Sequence, residues 1–501
     1  MISIGHNINN PYAQYGLDHF LFKYGIKAGI NQAENPDVVI NYGNSIESKG
    51  GTTIQILSNE IKPGIAGYFQ FGNETVPLFE MPEKLDVTAE NKVLATFQSD
   101  SDSYPCVITN DNNVIIGFDV FNEVGQILSG YLEPIFWKQT DESERLMRIP
   151  VVDILEEFLF DCLQDTLFPN GVSLESKPFW PDGKKFALVL THDVDRTYKT
   201  YQYIPSLLKD IRKGNLTGAV EQVKSLLFKY GKSNPYWTFD NIMALENELE
   251  VKSTFFFLNE SGRLNPFSLK SRILFGGRYK IDSPDVADVI KMLHRSGFEI
   301  GVHGSYHSYK DLGLLKAEKE KLESLVGAKI RGVRQHYLNF DPENTFRIQE
   351  LVGFEYDSTL GFTPQIGVGF RRGTCFPFHP ISPNGLRSPL LEIPLIIMDG
   401  GLPTRDMFGD CAKILSIVER YGGALTLLWH QQMFNEGDFP NMAKIYRQLI
   451  EIAQNRNAWV TNTSEIQRWW ESRQNPLPPE DPLSQMGHNQ NSTPNGEGIC
   501  E

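Results

Sequence analysis

No run of basic residues, no closely paired cysteines and no apolar stretch of membrane length occurs in this chain of 501 residues. Each absence excludes something. Asp and Glu (62) outnumber Lys and Arg (47), for a net charge of −15, whereas grip on a phosphate backbone needs clustered cations. Nucleic acid is not expected as a partner. The five cysteines, Cys106, Cys162, Cys375, Cys411 and Cys500, are odd in number, scattered and never spaced as CxxC. They read as reduced structural thiols of a cytoplasmic protein, with no zinc knuckle among them. Nothing approaches the roughly 18 continuous apolar residues of a membrane span. The opening residues, Met1 to Asn7, lack the basic and apolar regions of a signal peptide. Neither membrane insertion nor standard export is expected.

What is present is core-forming material, 41% hydrophobic with 12% aromatic. The length exceeds an ordinary domain of roughly 100 to 200 residues, although an α/β barrel alone takes about 250. Two domains are the economical reading. Residues 1–178 alternate short apolar runs, such as Val38-Val39-Ile40 and Val107-Ile108, with polar turns, and turn helical only around Ile154, Leu155, Phe158 and Leu159. They are expected to form a smaller mixed α+β domain. Pro169, Pro178 and Pro181 mark the boundary. Residues 179–474 then repeat strands followed by helices, the grammar of βα units. From Asn475 to Glu501 the chain is polar and proline-rich, too poor in apolar residues to offset ordering entropy, and is expected to be a disordered tail.

Phe186-Ala187-Leu188-Val189-Leu190 reads as a buried strand that ends in Thr191-His192-Asp193-Val194-Asp195. Two carboxylates at a strand end are costly unless a cation or a proton divides their roles. Further strands are expected at Thr254–Leu258, Phe298–Val302, Leu391–Met398, Ala424–Trp429 and Ala458–Thr461. Asp193, Asp195, His303, Asp399 and His430 each stand at or just past the C-terminal end of one of them, and in a βα barrel those ends share the active-site face. His303 and His307 are spaced to hold one metal. Two imidazoles and one carboxylate would leave a coordination position open for water, as hydrolytic zinc requires. His192 should point away from Asp193 by strand alternation. His336, His379 and most of the tryptophans read as structural.

Thr191-His192-Asp193-Val194-Asp195, His303-Gly304-Ser305-Tyr306-His307, Arg334-Gln335-His336-Tyr337 and Leu427-Leu428-Trp429-His430 together resemble the motifs of the polysaccharide deacetylases of carbohydrate esterase family 4, over roughly residues 185 to 465. A divergent bacterial branch with an additional N-terminal domain is the nearest likeness. The resemblance implies a distorted (β/α) barrel of seven or eight strands and removal of N- or O-acetyl groups from a carbohydrate; the expected cytoplasmic residence then suggests a precursor in surface-polysaccharide metabolism. It implies Asp193 as base and Asp195, His303 and His307 as ligands of a divalent metal, most readily zinc. It further implies Arg334 as the group orienting the base, the Tyr337 backbone N–H as an oxyanion donor and His430 as the acid. Asp357 or Asp399 would support His430. The family usually carries adjacent aspartates, a hydroxyl residue after the first histidine and proline after the arginine; here stand Asp-Val-Asp, Gly304 and Gln335-His336. A glycan-binding descendant without activity, and an amidohydrolase of small amides or cyclic imides, are the other readings the residues allow.

Overall fold

A computed structural model describes residues 2–26, 28–30, 38–42, 52–57, 64–110, 113–130, 133–136, 140–167, 178–262, 264–265, 267–268, 271, 274–381, 385–402 and 405–474. The tail expected over 475–501 lies outside the described residues. Nine strands form a first sheet: β1 (Ile2–His6), β2 (Ala28–Ile30), β3 (Val38–Tyr42), β4 (Thr52–Ile56), β5 (Gly67–Phe71), β6 (Glu74–Leu78), β7 (Lys92–Gln98), β8 (Ser103–Asn110) and β9 (Asn113–Ile116). Their order is β2-β1-β3-β4-β9-β8-β7-β5-β6. The half from β2 to β9 is parallel, and the half from β9 to β6 is antiparallel.

The second sheet is parallel throughout. It comprises β10 (Phe186–Val194), β11 (Thr254–Leu258), β12 (Glu299–Gly304), β13 (Gly332–Gln335), β14 (Tyr356–Asp357), β15 (Leu391–Glu392), β16 (Leu395–Met398), β17 (Ala424–Leu428) and β18 (Ala458–Thr461). Strand β10 is buried along its whole length, as a strand covered on both faces must be, which explains its unbroken apolar run. The path runs β15-β14-β13-β12-β11-β10-β17-β16. Its two ends are one stretch of chain: Leu391 and Glu392 pair with Tyr356 and Asp357, whereas Leu395 to Met398 pair along β17. The sheet therefore closes on itself as a distorted (β/α) barrel. The second strand of the seam, β16, ends directly before Asp399. Strand β18 borders the first half of β10 while β11 borders the second half, so the eighth strand is a wedge at the barrel's closed end.

Side chains fill the barrel. A Cβ on Gly332 would stand 1.8 Å from the Tyr356 ring, and one on Gly301 would stand 2.5 Å from that of Phe256. The barrel and the first sheet touch through a buried ionic cluster. Lys23, on the first helix (Pro11–Lys23), contacts Asp153 at 2.8 Å and Glu156 at 2.9 Å on the helix Val151–Leu167. The Asp153 carboxylate also accepts from Thr374 Oγ1 and the Cys375 backbone N–H, between β14 and β15. Among the described residues no helix is long and apolar enough to cross a membrane.

Candidate active site

Strand alternation sorts the side chains of β10. Thr191 and Asp193 project to one side, where Arg334 Nη1 donates to both, at 2.8 and 3.0 Å. His192 projects to the other, its Nδ1–H donating to the Trp429 carbonyl at 2.6 Å and its Nε2 lying 2.9 Å from Glu246. The expected separation of His192 from Asp193 is what the pleat produces. Trp429 and Trp470 are buried, and His379 is tied by Nδ1 to the Leu390 carbonyl.

Arg334 comes from β13 and is fully buried. Its Nε and Nη2 donate to the backbone carbonyl and the hydroxyl of Ser358, each at 2.8 Å, and its plane lies over Phe256 at 4.6 Å. Fixed on three sides, the guanidinium holds the Asp193 carboxylate in one orientation and offsets its charge.

Asp195 lies just beyond the strand, and two imidazoles meet its Oδ1. His303 Nε2 is 3.3 Å away and His336 Nε2 3.4 Å away. Burial pushes the Asp195 carboxyl up, but His336, His303 and Arg278 outweigh it and hold the group well below the usual carboxylate range. The His303 Nδ1–H donates to the Arg334 carbonyl at 2.9 Å, which leaves the Nε2 lone pair facing Asp195. His336 Nδ1 is buried 3.8 Å from Glu260, too far for a hydrogen bond. Asp195 Oδ1 is buried without a hydrogen-bond partner.

These three atoms fit a metal. One ligand atom from each of Asp195, His303 and His336 lies within 4.8 Å of the others. Around a tetrahedral zinc with bonds of about 2.0–2.1 Å, ligand atoms stand roughly 3.3 Å apart, close to the separations from Asp195 to either imidazole. The His303 Nδ1–H bond to the Arg334 carbonyl is the kind of outer hydrogen bond that fixes the tautomer of a metal-binding histidine. Arg278, which precedes the helix Pro284–Arg295, closes the group from the side. It donates to the Asp195 carbonyl at 3.1 Å and to His336 Nε2 at 3.2 Å, so an ion would have to displace it from that single lone pair.

His307, expected as the third ligand, is outside this cluster. Strand β12 ends at Gly304, and the chain turns through Ser305, whose carbonyl accepts from the Ser308 hydroxyl. The imidazole of His307 is exposed at the rim, 5.0 Å from the Tyr306 ring. His336, read from the sequence as structural, takes the inner position because it directly follows the buried end of β13. The sequence places it only beside Arg334 in the third motif, with no legible strand end to mark it. Gly304 and Gln335, both departures from the family pattern, account for each other: a Cβ on Gly304 would meet the Gln335 amide at 2.1 Å. The Gln335 carbonyl oxygen instead accepts from Ser308 at 3.0 Å.

Asp399 is the residue that meets His430. It accepts from Nδ1–H at 3.0 Å and from the backbone N–H at 2.5 Å. Burial lowers the basicity of this imidazole, but Asp399, with smaller help from Asp195 and Asp193, overrides it and raises the pKa to about 10. Asp357 does not reach His430. Its buried carboxylate accepts from Gln349 at 2.9 Å and from Thr359, and it lies beside Glu392. That expectation is corrected, because β14 turns Asp357 toward the preceding helix, Thr345–Val352. Tyr337 sits at the rim with a left-handed backbone (φ 59°) and its ring 4.2 Å from that of His336.

No family model matches the sequence, and no curated protein matches it. Among solved structures, the chain is similar to one assigned as a polysaccharide deacetylase from Mycobacterium smegmatis, at 19% identity and a TM-score of 0.38 over 59% of this chain and 93% of that one. It is similar to PuuE allantoinase at 17% identity and a TM-score of 0.39, over 61% and 96%. A chain assigned as a polysaccharide deacetylase from Pseudomonas aeruginosa PAO1 matches at 16% identity and a TM-score of 0.39, over 62% and 99%.

Proposed function

We propose that the protein is a metal-dependent hydrolase that removes acetyl groups, from nitrogen or oxygen, from a carbohydrate of surface-polysaccharide metabolism. The observation that carries the reading is the grouping of Asp195, His303 and His336, which could hold one metal ion, with Asp193 two residues before Asp195 and oriented by Arg334, and His430 held by Asp399. A divalent ion on that set, zinc first, would polarise the acetyl carbonyl and acidify a water molecule. Asp193, held by Arg334, takes the proton from the attacking water. The Tyr337 backbone N–H is the proposed donor to the developing oxyanion, an interaction commonly worth about 3 kcal/mol. His430, protonated through neutral pH and oriented by Asp399, gives its Nε2 proton to the departing amine or alkoxide. Residues 1–178 and 179–474 are read as two domains, the second carrying the chemistry.

The test combines bound-metal analysis with acetate release from a panel of acetylated glycans. Metal at one equivalent and turnover that falls by roughly 10²–10⁴-fold in Asp193→Asn, with metal retained, are expected. Metal without turnover on any glycan would point to a small amide or cyclic imide instead. Glycan binding with neither metal nor turnover would make the protein a non-catalytic descendant.

A further inference from the structure

The excursion between β10 and β11 turns its apolar residues outward. Two helices, Tyr203–Arg212 and Leu216–Phe228, pack against each other there. The positions of the second helix that are buried are Ala219, Gln222 and Ser225. Gln222 accepts from Lys199 at 2.6 Å and donates to Asp438 at 3.1 Å, and Ser225 bonds the Tyr203 hydroxyl at 3.0 Å. The outer positions recur at three and four: Ile204, Leu208 and Ile211 on the first helix, Leu216, Val220, Val223 and Leu227 on the second. Leu216 is 71% exposed and Phe228 75%. Of the twenty exposed large hydrophobic residues among the described residues, eleven fall between Tyr201 and Tyr230. Scattered apolar side chains are normal on a surface, but a concentration of this kind marks a contact face.

Charge identifies the partner. Between residues 201 and 233 stand six basic residues, Lys209, Arg212, Lys213, Lys224, Lys229 and Lys232, against two acidic ones, Asp210 and Glu221, in a chain whose net charge is −15. Helices with an apolar stripe and cationic flanks suit the interface of an anionic bilayer, where the stripe enters the headgroup boundary and the cations meet lipid phosphates. A second copy on the same face would set the two cationic hairpins against each other. The location is also specific. The hairpin leaves the strand that carries Asp193, and its base is tied by Lys199 to Asp438, at 2.8 and 2.5 Å, in the segment that follows His430.

We propose that this helical pair is an interfacial anchor that lays the open end of the barrel against an anionic lipid surface. The proposal stands on exposure and charge and is independent of the hydrolytic reading. It is tested by sedimenting the full chain with vesicles of phosphatidylcholine alone or mixed with phosphatidylglycerol. Partitioning onto the anionic vesicles, at least roughly tenfold stronger than onto neutral ones, is expected. A combined Leu216→Ser, Val223→Ser and Leu227→Ser variant should lose roughly tenfold or more of that partitioning while keeping its melting temperature. Arg212→Glu with Lys224→Glu should abolish the preference for anionic lipid. Wild-type protein left in the supernatant, or equal sedimentation of wild type and the serine variant, would overturn the proposal. So would light scattering that finds a dimer which the serine variant converts to a monomer, without vesicle binding.

Discussion

At the scale of single residues, two assignments separate cleanly. His336 and His307 both stand just past barrel strands, but among the described residues it is His336 that groups with Asp195 and His303. His336→Ala is therefore expected to weaken zinc binding by more than about tenfold, whereas His307→Ala leaves it nearly unchanged; calorimetric titration of the metal-free protein with zinc checks both. The second assignment concerns protonation. His430 is raised from its ordinary 6.5 to about 10, chiefly by Asp399 working against burial. A raised imidazole contributes its stabilisation fully below about pH 6.5 and loses it as pH rises through about 10. The acid form should accordingly persist across neutrality, with the basic limb of kcat near pH 10. Asp399→Asn removes the principal charge, and the limb should move down by more than about one pH unit. A pH–rate profile of the two proteins decides this.

At the scale of elements, the strands with an apolar pattern announced themselves and those without one did not. Strands β10, β11, β17 and β18 carry runs of apolar residues, and β12 alternates Ile300 and Val302 with small or polar ones, so hydrophobic patterning placed both them and the residues they deliver. Strand β13 (Gly332–Gln335) has Val333 as its one large apolar residue and β14 is only two residues long, too little for a pattern. Arg334 is placed by its likeness to a family motif, and His336 beside it reads as structural for want of a visible strand end. The helical pair at 203–228 also escaped, because stripes that face solvent look the same in sequence as stripes that face a core. Packing inside the barrel makes its own prediction. Tyr356 occupies the space over Gly332, and Thr463 and Glu299 hold its hydroxyl at 2.7 Å each. Gly332→Ala should overpack this layer and cost about 1–3 kcal/mol, read as a lowered urea midpoint. Its effect on turnover should exceed that of a surface substitution of equal stability cost, because Arg334 lies two residues on along the same strand.

For the whole molecule, Lys23 sits at one of the buried polar contacts that join the N-terminal region to the barrel, beside the pairs of Glu133 with Arg371 and Arg372. Burial disfavours its charge, yet Asp153 and Glu156 keep its pKa well above the ordinary lysine value. Lys23→Met would leave two buried carboxylates short of their main cation and is expected to destabilise the protein by about 3–5 kcal/mol. Because Asp153 also holds the backbone at Cys375, the loss should appear in one cooperative thermal transition that includes the barrel. The seam at 391–398 has a different reach. One stretch of chain completes the ring by leaning first on β14 and then on β17, with a register shift at Leu395 to Ile397 and Pro394 between the two halves. Asp399 is carried on its end. The carboxylate that accepts from His430 Nδ1–H thus stands at the end of the one segment that both sides of the ring position.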